Sequence, residues 1–291
     1  MRNRLLYARS PEWAATAQRL EALMAEPGFR PLKATARAQA GVIECDGTEV
    51  FVKRVDSGSW LKGVVDRLHG SRARRTLRGA AILEAAGFAH PKPFAAVETR
   101  SMGAVRASYV VSEALSNARM LSAFALGDGR NFIRRKWISE AVAREIRGMH
   151  DAGIYTRDLQ ETNLMLEARD HQLTIYFVDL EDFKRARKVS MRRRMLNLVH
   201  LDRSIGRFVC RSQRLRFFYN YLGERPAHDE ACRLVEALLE VRNQVNRRRG
   251  RRGGLDRSEH RAHTQGIALN SKSHALDNNI GIRPGAESGT D

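Results

Sequence analysis

A chain of 291 residues with 43% hydrophobic and 7% aromatic content can bury the core of one two-lobed domain or of two small ones. It has no run of about 18 apolar residues, so no bilayer-spanning helix is expected. The formal net charge is +18; from Arg242 onward ten Lys/Arg face five Asp/Glu, so the body carries +13 and calls for a polyanionic partner unless the basicity is a proteome background. The first residues, Met1–Tyr7, lack a long apolar stretch and a small-residue cleavage site, so no signal peptide is expected. Three scattered cysteines, Cys45, Cys210 and Cys232, show no metal spacing and suit reduced thiols in a cytosolic protein.

In chain order, residues 11–24 read as an amphipathic helix or an arm, entered at Pro11 and stopped by Pro27-Gly28. Strand-like runs follow at Phe29–Lys33, Gly41–Cys45 and Glu49–Val55, with Asp46-Gly47 as a hairpin signal. Ser71–Ala86 predicts a helix with Leu77, Ala80, Ala81, Ile82 and Leu83 on its apolar side and Gly87 as its stop. Pro91 and Pro93 turn the chain into a strand pair at 94–98 and 107–113. Asn131–Met149 carries Phe132, Ile133, Trp137, Ile138, Val142, Ile146 and Met149 at helical spacing. Leu164–Leu166 and Leu173–Asp179 predict strands around a turn at Arg169-Asp170. From Met191 to about Val245 the pattern is helical, with breaks near Gly206 and at Gly223–Pro226. The expected organisation is a helix or arm over 1–28, a small strand-rich lobe over 29–113, a larger helical lobe over 114–249, and a disordered tail over 250–291.

The chemistry concentrates in Ile154-Tyr155-Thr156-Arg157-Asp158-Leu159-Gln160-Glu161-Thr162-Asn163 and in the strand that ends at Asp179. Alone, Asp-x4-Asn in a loop is ordinary turn chemistry, and an Asp at a strand end is an ordinary cap. The order long helix, Asp-x4-Asn, strand, turn, strand, Asp suits phosphoryl transfer. One carboxylate can face an acceptor hydroxyl, while an amide oxygen and a second carboxylate can hold magnesium against nucleotide phosphates.

Thr156–Asn163 resembles the protein-kinase catalytic loop H-R-D-L-x-x-x-N, with Val178-Asp179-Leu180 at the place of D-F-G. Four stretches more specifically resemble the lipopolysaccharide kinase (Kdo/WaaP) family: Val50–Arg54; Ser71–Arg75, leading by a helix to Gly87–Pro93; the catalytic loop; and Asn197–Ser204, followed by Arg214–Leu222. The resemblance spans roughly 29–245. It implies an α+β, protein kinase-like fold with a small β-rich N-lobe and a larger helical C-lobe. It also implies an ATP- and Mg2+-dependent transferase acting on an alcohol group, a sugar hydroxyl of the lipopolysaccharide core (Kdo or heptose). The protein would be cytoplasmic and peripheral on the inner membrane. Asp158 would be the catalytic base, Lys53 and Glu113 would bind the nucleotide (Glu113 through the hinge backbone), and Asn163 and Asp179 would bind the metal.

The sequence departs from the kinase pattern in three places. Between Asp66 and Glu84 there is no carboxylate to position Lys53, and Glu84 lies near the helix end. Residues 33–41 carry a single glycine where a phosphate loop is expected, and Thr156 replaces the usual His. The basic runs Arg72–Arg78, Arg134–Lys136, Lys184–Arg194 and Arg247–Arg252 are either solvated helix faces or contacts to acidic sugars and an anionic leaflet. None is interleaved with aromatics, which disfavours nucleic acid. The alternatives are another kinase-like phosphotransferase, either an atypical Ser/Thr protein kinase or a small-molecule kinase, and a pseudokinase module binding an anionic membrane.

Overall fold

The computed structural model describes residues 1–127, 132–169, 172–223 and 228–252. Asn131, Asp170, Pro226 and nearly all of the tail expected to be disordered lie outside the described residues. The chain divides into a compact unit, Met1–Gln244, and a second, Val245–Asp291, in which the described residues are helical.

The first half builds a six-stranded antiparallel sheet in the order β1-β5-β6-β4-β3-β2. Its strands are β1 (Arg2–Ala8), β2 (Arg30–Ala34), β3 (Ala38–Cys45), β4 (Thr48–Asp56), β5 (Pro93–Ser101) and β6 (Ala104–Glu113). Asp46 and Gly47 join β3 to β4 with φ of 50° and 74°, the paired left-handed conformation that matches a two-residue hairpin to strand twist. Period-two alternation sets the two faces of β4. Val50 and Val52 point to the side where α1 (Pro11–Gln18) and α2 (Leu20–Leu23) contribute Ala17 and Leu20 to an apolar cluster. Lys53 therefore points to the other side, the side of α4 (Arg72–Glu84), where Ala73 packs on Ala96 and Val110.

The expected helix over 11–24 is broken at Arg19 into α1 and α2. Two elements of this half depart from the sequence expectation. Arg2–Ala8 is an edge strand whose register runs from Arg2 opposite Arg100 to Ala8 opposite Ala95. Its charged, weakly alternating sequence is typical of protected edges rather than of buried strands. Trp60–His69 is a helix, α3, capped by Ser59, whose side chain accepts from the Lys62 amide at 3.3 Å. Four of its apolar residues are exposed, Val64 is half-buried, and Gly63 is its one buried residue.

Helix α4 starts where Ser71 accepts from the Arg74 amide at 3.3 Å, and Gly87 (φ 77°) follows its end. A Cβ at Gly79 would stand 1.9 Å from the Leu180 carbonyl oxygen, so this glycine lets the helix lie directly on the turn that follows β10. Ala80 and Leu83 of α4 join the main helical core, which couples the sheet lobe to the helical lobe.

The second half comprises β7 (Arg119–Met120), α5 (Leu121–Gly127), α6 (Phe132–Asp151), β8 (Ile154–Tyr155), β9 (Leu164–Arg169), β10 (Gln172–Phe177), β11 (Lys184–Arg185), α7 (Met191–Ile205), α8 (Arg211–Leu222) and α9 (His228–Arg252). Ile146 and Met149 of α6 pack on Leu159, Leu164, Leu166, Phe177 and Met195, all of them almost wholly buried. The result is a mixed α+β, two-lobed kinase-like fold. Among the described residues, no helix is long and apolar enough to cross a membrane.

Candidate active site

Three segments that are distant in sequence meet between the lobes: the middle of β4, the loop between β8 and β9, and the turn after β10. Strand β10 is anchored to the loop where the Val178 amide donates to the Asn163 carbonyl at 3.0 Å. Asp179 follows with φ 57° and ψ 63°, a left-handed conformation uncommon for a residue with a side chain and typical of strained functional positions. Its Oδ1 accepts from Lys53 Nζ at 2.7 Å.

The partner for Lys53 that α4 lacks comes from the same turn. Glu181, with its side chain 8% exposed, accepts from Lys53 Nζ at Oε1 (2.9 Å) and from Arg72 Nη1 at Oε2 (3.0 Å). Arg75 Nη2 lies 3.8 Å from the same oxygen. Glu84 does not take this role: it binds Lys92 Nζ at 2.5 Å on the surface. The reason is charge. Where the kinase pattern has a carboxylate on the helix, α4 presents arginines, and the carboxylate sits on the facing turn. Arg72 and Arg75 are thus committed to Glu181, and Arg74 donates to the buried Glu98 at 3.2 Å, so this run is no simple solvated face. Burial pulls the Lys53 ammonium down, but Asp179 and Glu181 outweigh it and raise its pKa above the usual lysine value.

Within the loop, Asn163 Nδ2 donates to the Asp158 carbonyl at 2.8 Å, which fixes the amide and leaves Oδ1 as its acceptor end. The Asp158 amide donates to Thr156 Oγ1 at 3.3 Å, and Gln160 Nε2 donates to Asp158 Oδ1. One face of α7 carries the loop from below. Asn197 Nδ2 donates to the Thr156 carbonyl at 2.5 Å, His200 Nδ1 to the Arg157 carbonyl at 3.0 Å, and Ser204 Oγ accepts from the Glu161 amide at 3.0 Å. The spacing i, i+3, i+7 puts all three on one side of a helix. The Asn197–Ser204 stretch, singled out in the sequence without a role, is therefore the loop's footing.

Beneath Thr156, His150 is fully buried. Its Nε2 donates to Asn197 Oδ1 at 2.9 Å, and its Nδ1 accepts from the Tyr221 hydroxyl at 2.8 Å. Burial holds its pKa down to about 4, against an ordinary 6.5. The unfolded chain therefore takes up a proton at this ring before the folded one does, and stability falls as pH drops from about 6.5 towards 4, by on the order of 3 kcal/mol for the whole window. Urea midpoints measured at pH 7 and pH 5 should show the loss, and His150→Leu should flatten it. A wild-type profile with no slope there would count against a neutral buried ring.

The other expected positions are less central. The Glu113 amide donates to the Lys92 carbonyl at 2.9 Å, and its carboxylate accepts from the Lys92 amide at 3.3 Å. Its side chain thus ties β6 to the chain entering β5. It pairs with Val50, three positions along the sheet from the Lys53–Val110 pair, and does not touch the Lys53 cluster. Gly41, read as part of a phosphate loop, lies inside β3, where a Cβ would meet the Arg30 carbonyl at 2.4 Å; it serves strand packing. Arg185, Arg187, Lys188, Arg192 and Arg193 are exposed beside the loop, since Lys184 pairs with Tyr155 across β11 and β8 and Arg193 covers the Tyr155 ring at 4.6 Å. Lys136 lies 3.9 Å from Glu140, and the Arg134 side chain and those of 248–252 lie outside the described residues.

Among the described residues, no three His, Cys, Asp or Glu side chains form a metal cluster. A donor set of one carboxylate and one amide oxygen still fits magnesium, which keeps water and phosphate oxygens in most of its octahedral positions.

The model of the lipopolysaccharide kinase (Kdo/WaaP) family matches residues 23–221. No curated protein sequence matches the chain. Among solved structures, one described as WaaP in complex with acyl carrier protein superposes with a TM-score of 0.62 at 22% identity, over 85% of this chain and 99% of that one. That likeness is one of fold.

Proposed function

The chain belongs to the lipopolysaccharide kinase (Kdo/WaaP) family, and on that premise we propose that it transfers the γ-phosphoryl group of ATP to a sugar hydroxyl of the lipopolysaccharide core, Kdo or heptose, at the cytoplasmic face of the inner membrane. The observation that carries the reading is the 2.7 Å contact between Lys53 and Asp179, 126 residues apart, in one cleft. Lys53 holds the nucleotide phosphates, and the backbone at Glu113 faces the adenine. Asp158 accepts the proton of the acceptor hydroxyl as the oxygen attacks phosphorus. Asn163 and Asp179 would hold magnesium, which when bound neutralises charge on the β- and γ-phosphate oxygens. The exposed basic residues from Arg185 to Arg193 offer charge-assisted hydrogen bonds to an anionic glycolipid acceptor.

A pseudokinase reading drew on the missing helix carboxylate for Lys53 and on the weak glycine loop; Glu181 answers the first, and the Lys53–Asp179 cluster forms without the second, since Gly41 lies inside β3. The competent-enzyme reading is therefore the one the site supports. Labelled ATP with magnesium should label lipopolysaccharide core, and ATP with magnesium should raise the melting temperature. Label on a casein-like protein or an aminoglycoside alone would reassign the acceptor. No label anywhere and no thermal shift would overturn the enzyme.

A further inference from the structure

Helix α3 turns four of its five large apolar residues to the outside, and the fifth, Val64, is half-buried. Trp60 is 49% exposed, Leu61 71%, Val65 50% and Leu68 74%. At 100° per residue these four fall within an arc of about 140° on one side of the helix. On the other side Gly63 lies against β6, where a Cβ would meet the Val105 carbonyl oxygen at 2.3 Å and the Ala104 Cβ at 3.2 Å. The turn between β5 and β6 continues the surface. Met102 sits at its tip, 86% exposed, with φ 49°. Arg67 Nη1 donates to the Gly103 carbonyl at 2.9 Å and fastens the helix to that tip.

The surroundings are positive. Lys62 and Arg67 flank the apolar arc on α3 itself, and both are exposed. Arg106 is exposed on β6 two residues from Ala104, at the bulge where Val105 and Ala107 face Arg100 and Thr99 of β5. Arg37, also exposed, lies against Gly58 just before the helix. The one carboxylate of α3, Asp66, is turned back and accepts from Ser57 Oγ at 3.0 Å.

Singly exposed apolar side chains are common, but five on one tethered surface, edged by cations, form a docking face. We propose that α3 and the β5–β6 turn seat this protein on an anionic bilayer. Trp60, Leu61, Val65, Leu68 and Met102 enter the headgroup–acyl boundary, and Lys62, Arg67, Arg106 and Arg37 meet anionic headgroups. An apolar helix face with basic flanks is built for that interface. Charge selects the occupant: a second copy of this chain would bring the same cations against each other. The surface rests on the reading of a membrane-bound acceptor, yet its test reads binding and not phosphate transfer.

The full chain should pellet with phosphatidylcholine vesicles containing phosphatidylglycerol and much less with phosphatidylcholine alone. Leu61→Ser/Leu68→Ser/Met102→Ser should lower vesicle affinity by at least about tenfold, since each change removes an inserted apolar group. Lys62→Glu/Arg67→Glu should do the same for anionic vesicles only. A blue shift of tryptophan emission on adding vesicles should vanish in Trp60→Phe. Melting temperature and ATP-dependent transfer to delipidated core should stay at wild-type levels in the folded variants. Unchanged vesicle binding in both multiple variants would overturn the proposal. So would a concentration-dependent dimer abolished by the apolar variant, which would make the face a self-contact. If transfer to delipidated core is absent from the wild type while vesicle binding behaves as stated, the kinase reading fails and this surface stands.

Discussion

Asp158→Asn is expected to cut the rate of phosphoryl transfer by ~10²–10⁴-fold, the usual contribution of a positioned general base. The substitution keeps the size of the side chain and an acceptor for Gln160, and it leaves the Asp158 carbonyl that holds Asn163 untouched. What it removes is the ability to take a proton. Lys53, Asp179 and Asn163 remain in place, so nucleotide binding should survive. Initial rates with labelled ATP, set beside the melting-temperature shift with ATP and magnesium, separate the two. A variant with the wild-type rate would take Asp158 out of the chemistry.

Glu181→Gln should be nearly as damaging by another route. The carboxylate is buried and answers two cations at once, Lys53 at 2.9 Å and Arg72 at 3.0 Å. Neutralising it leaves Arg72 without its charged partner and Lys53 with Asp179 alone. Breaking a buried pair from one side costs about 3–5 kcal/mol, and the partial exposure of Lys53 and Arg72 pulls the expected cost towards the lower end. Part should appear as lost stability and part as weaker ATP binding, because a lysine drawn wholly to Asp179 is misplaced for phosphate. Glu84→Gln, on the exposed pair with Lys92, should change ATP binding little. Arg72→Met should blunt the effect of Glu181→Gln if the contacts form one unit. Equal effects of the Glu84 and Glu181 changes would refute the assignment of Glu181.

Lys53, Asp158, Asn163 and Asp179 were readable as candidates because each sits in a local pattern: an alternating strand that carries a lysine, a loop of fixed spacing between a helix and a hairpin, and a strand that leads into Asp. Glu181 lies two residues past Asp179 but was not read, because nothing local marks a carboxylate as the partner of a lysine 128 positions earlier. The arginines of α4 were the available clue. A helix that faces a half-buried lysine with like charge requires a carboxylate between them. Helix α3 was missed for a related reason. Periodicity finds helices by their buried stripe, and in α3 the stripe faces outward.

By itself, then, the sequence determined the β3–β4 and β9–β10 hairpins, helices α4 and α6, the α+β class, the loop and the strand-end Asp, since these follow from backbone propensity and patterns a few residues long. Only the tertiary structure decided which charges meet. It gave Lys53 to Glu181 rather than to Glu84, set Asn197, His200 and Ser204 beneath the loop, and turned Gly79 into the point where α4 touches the turn after β10. Contacts between distant segments depend on how helices and sheet pack in three dimensions, and a single chain's local spacing carries no record of that distance.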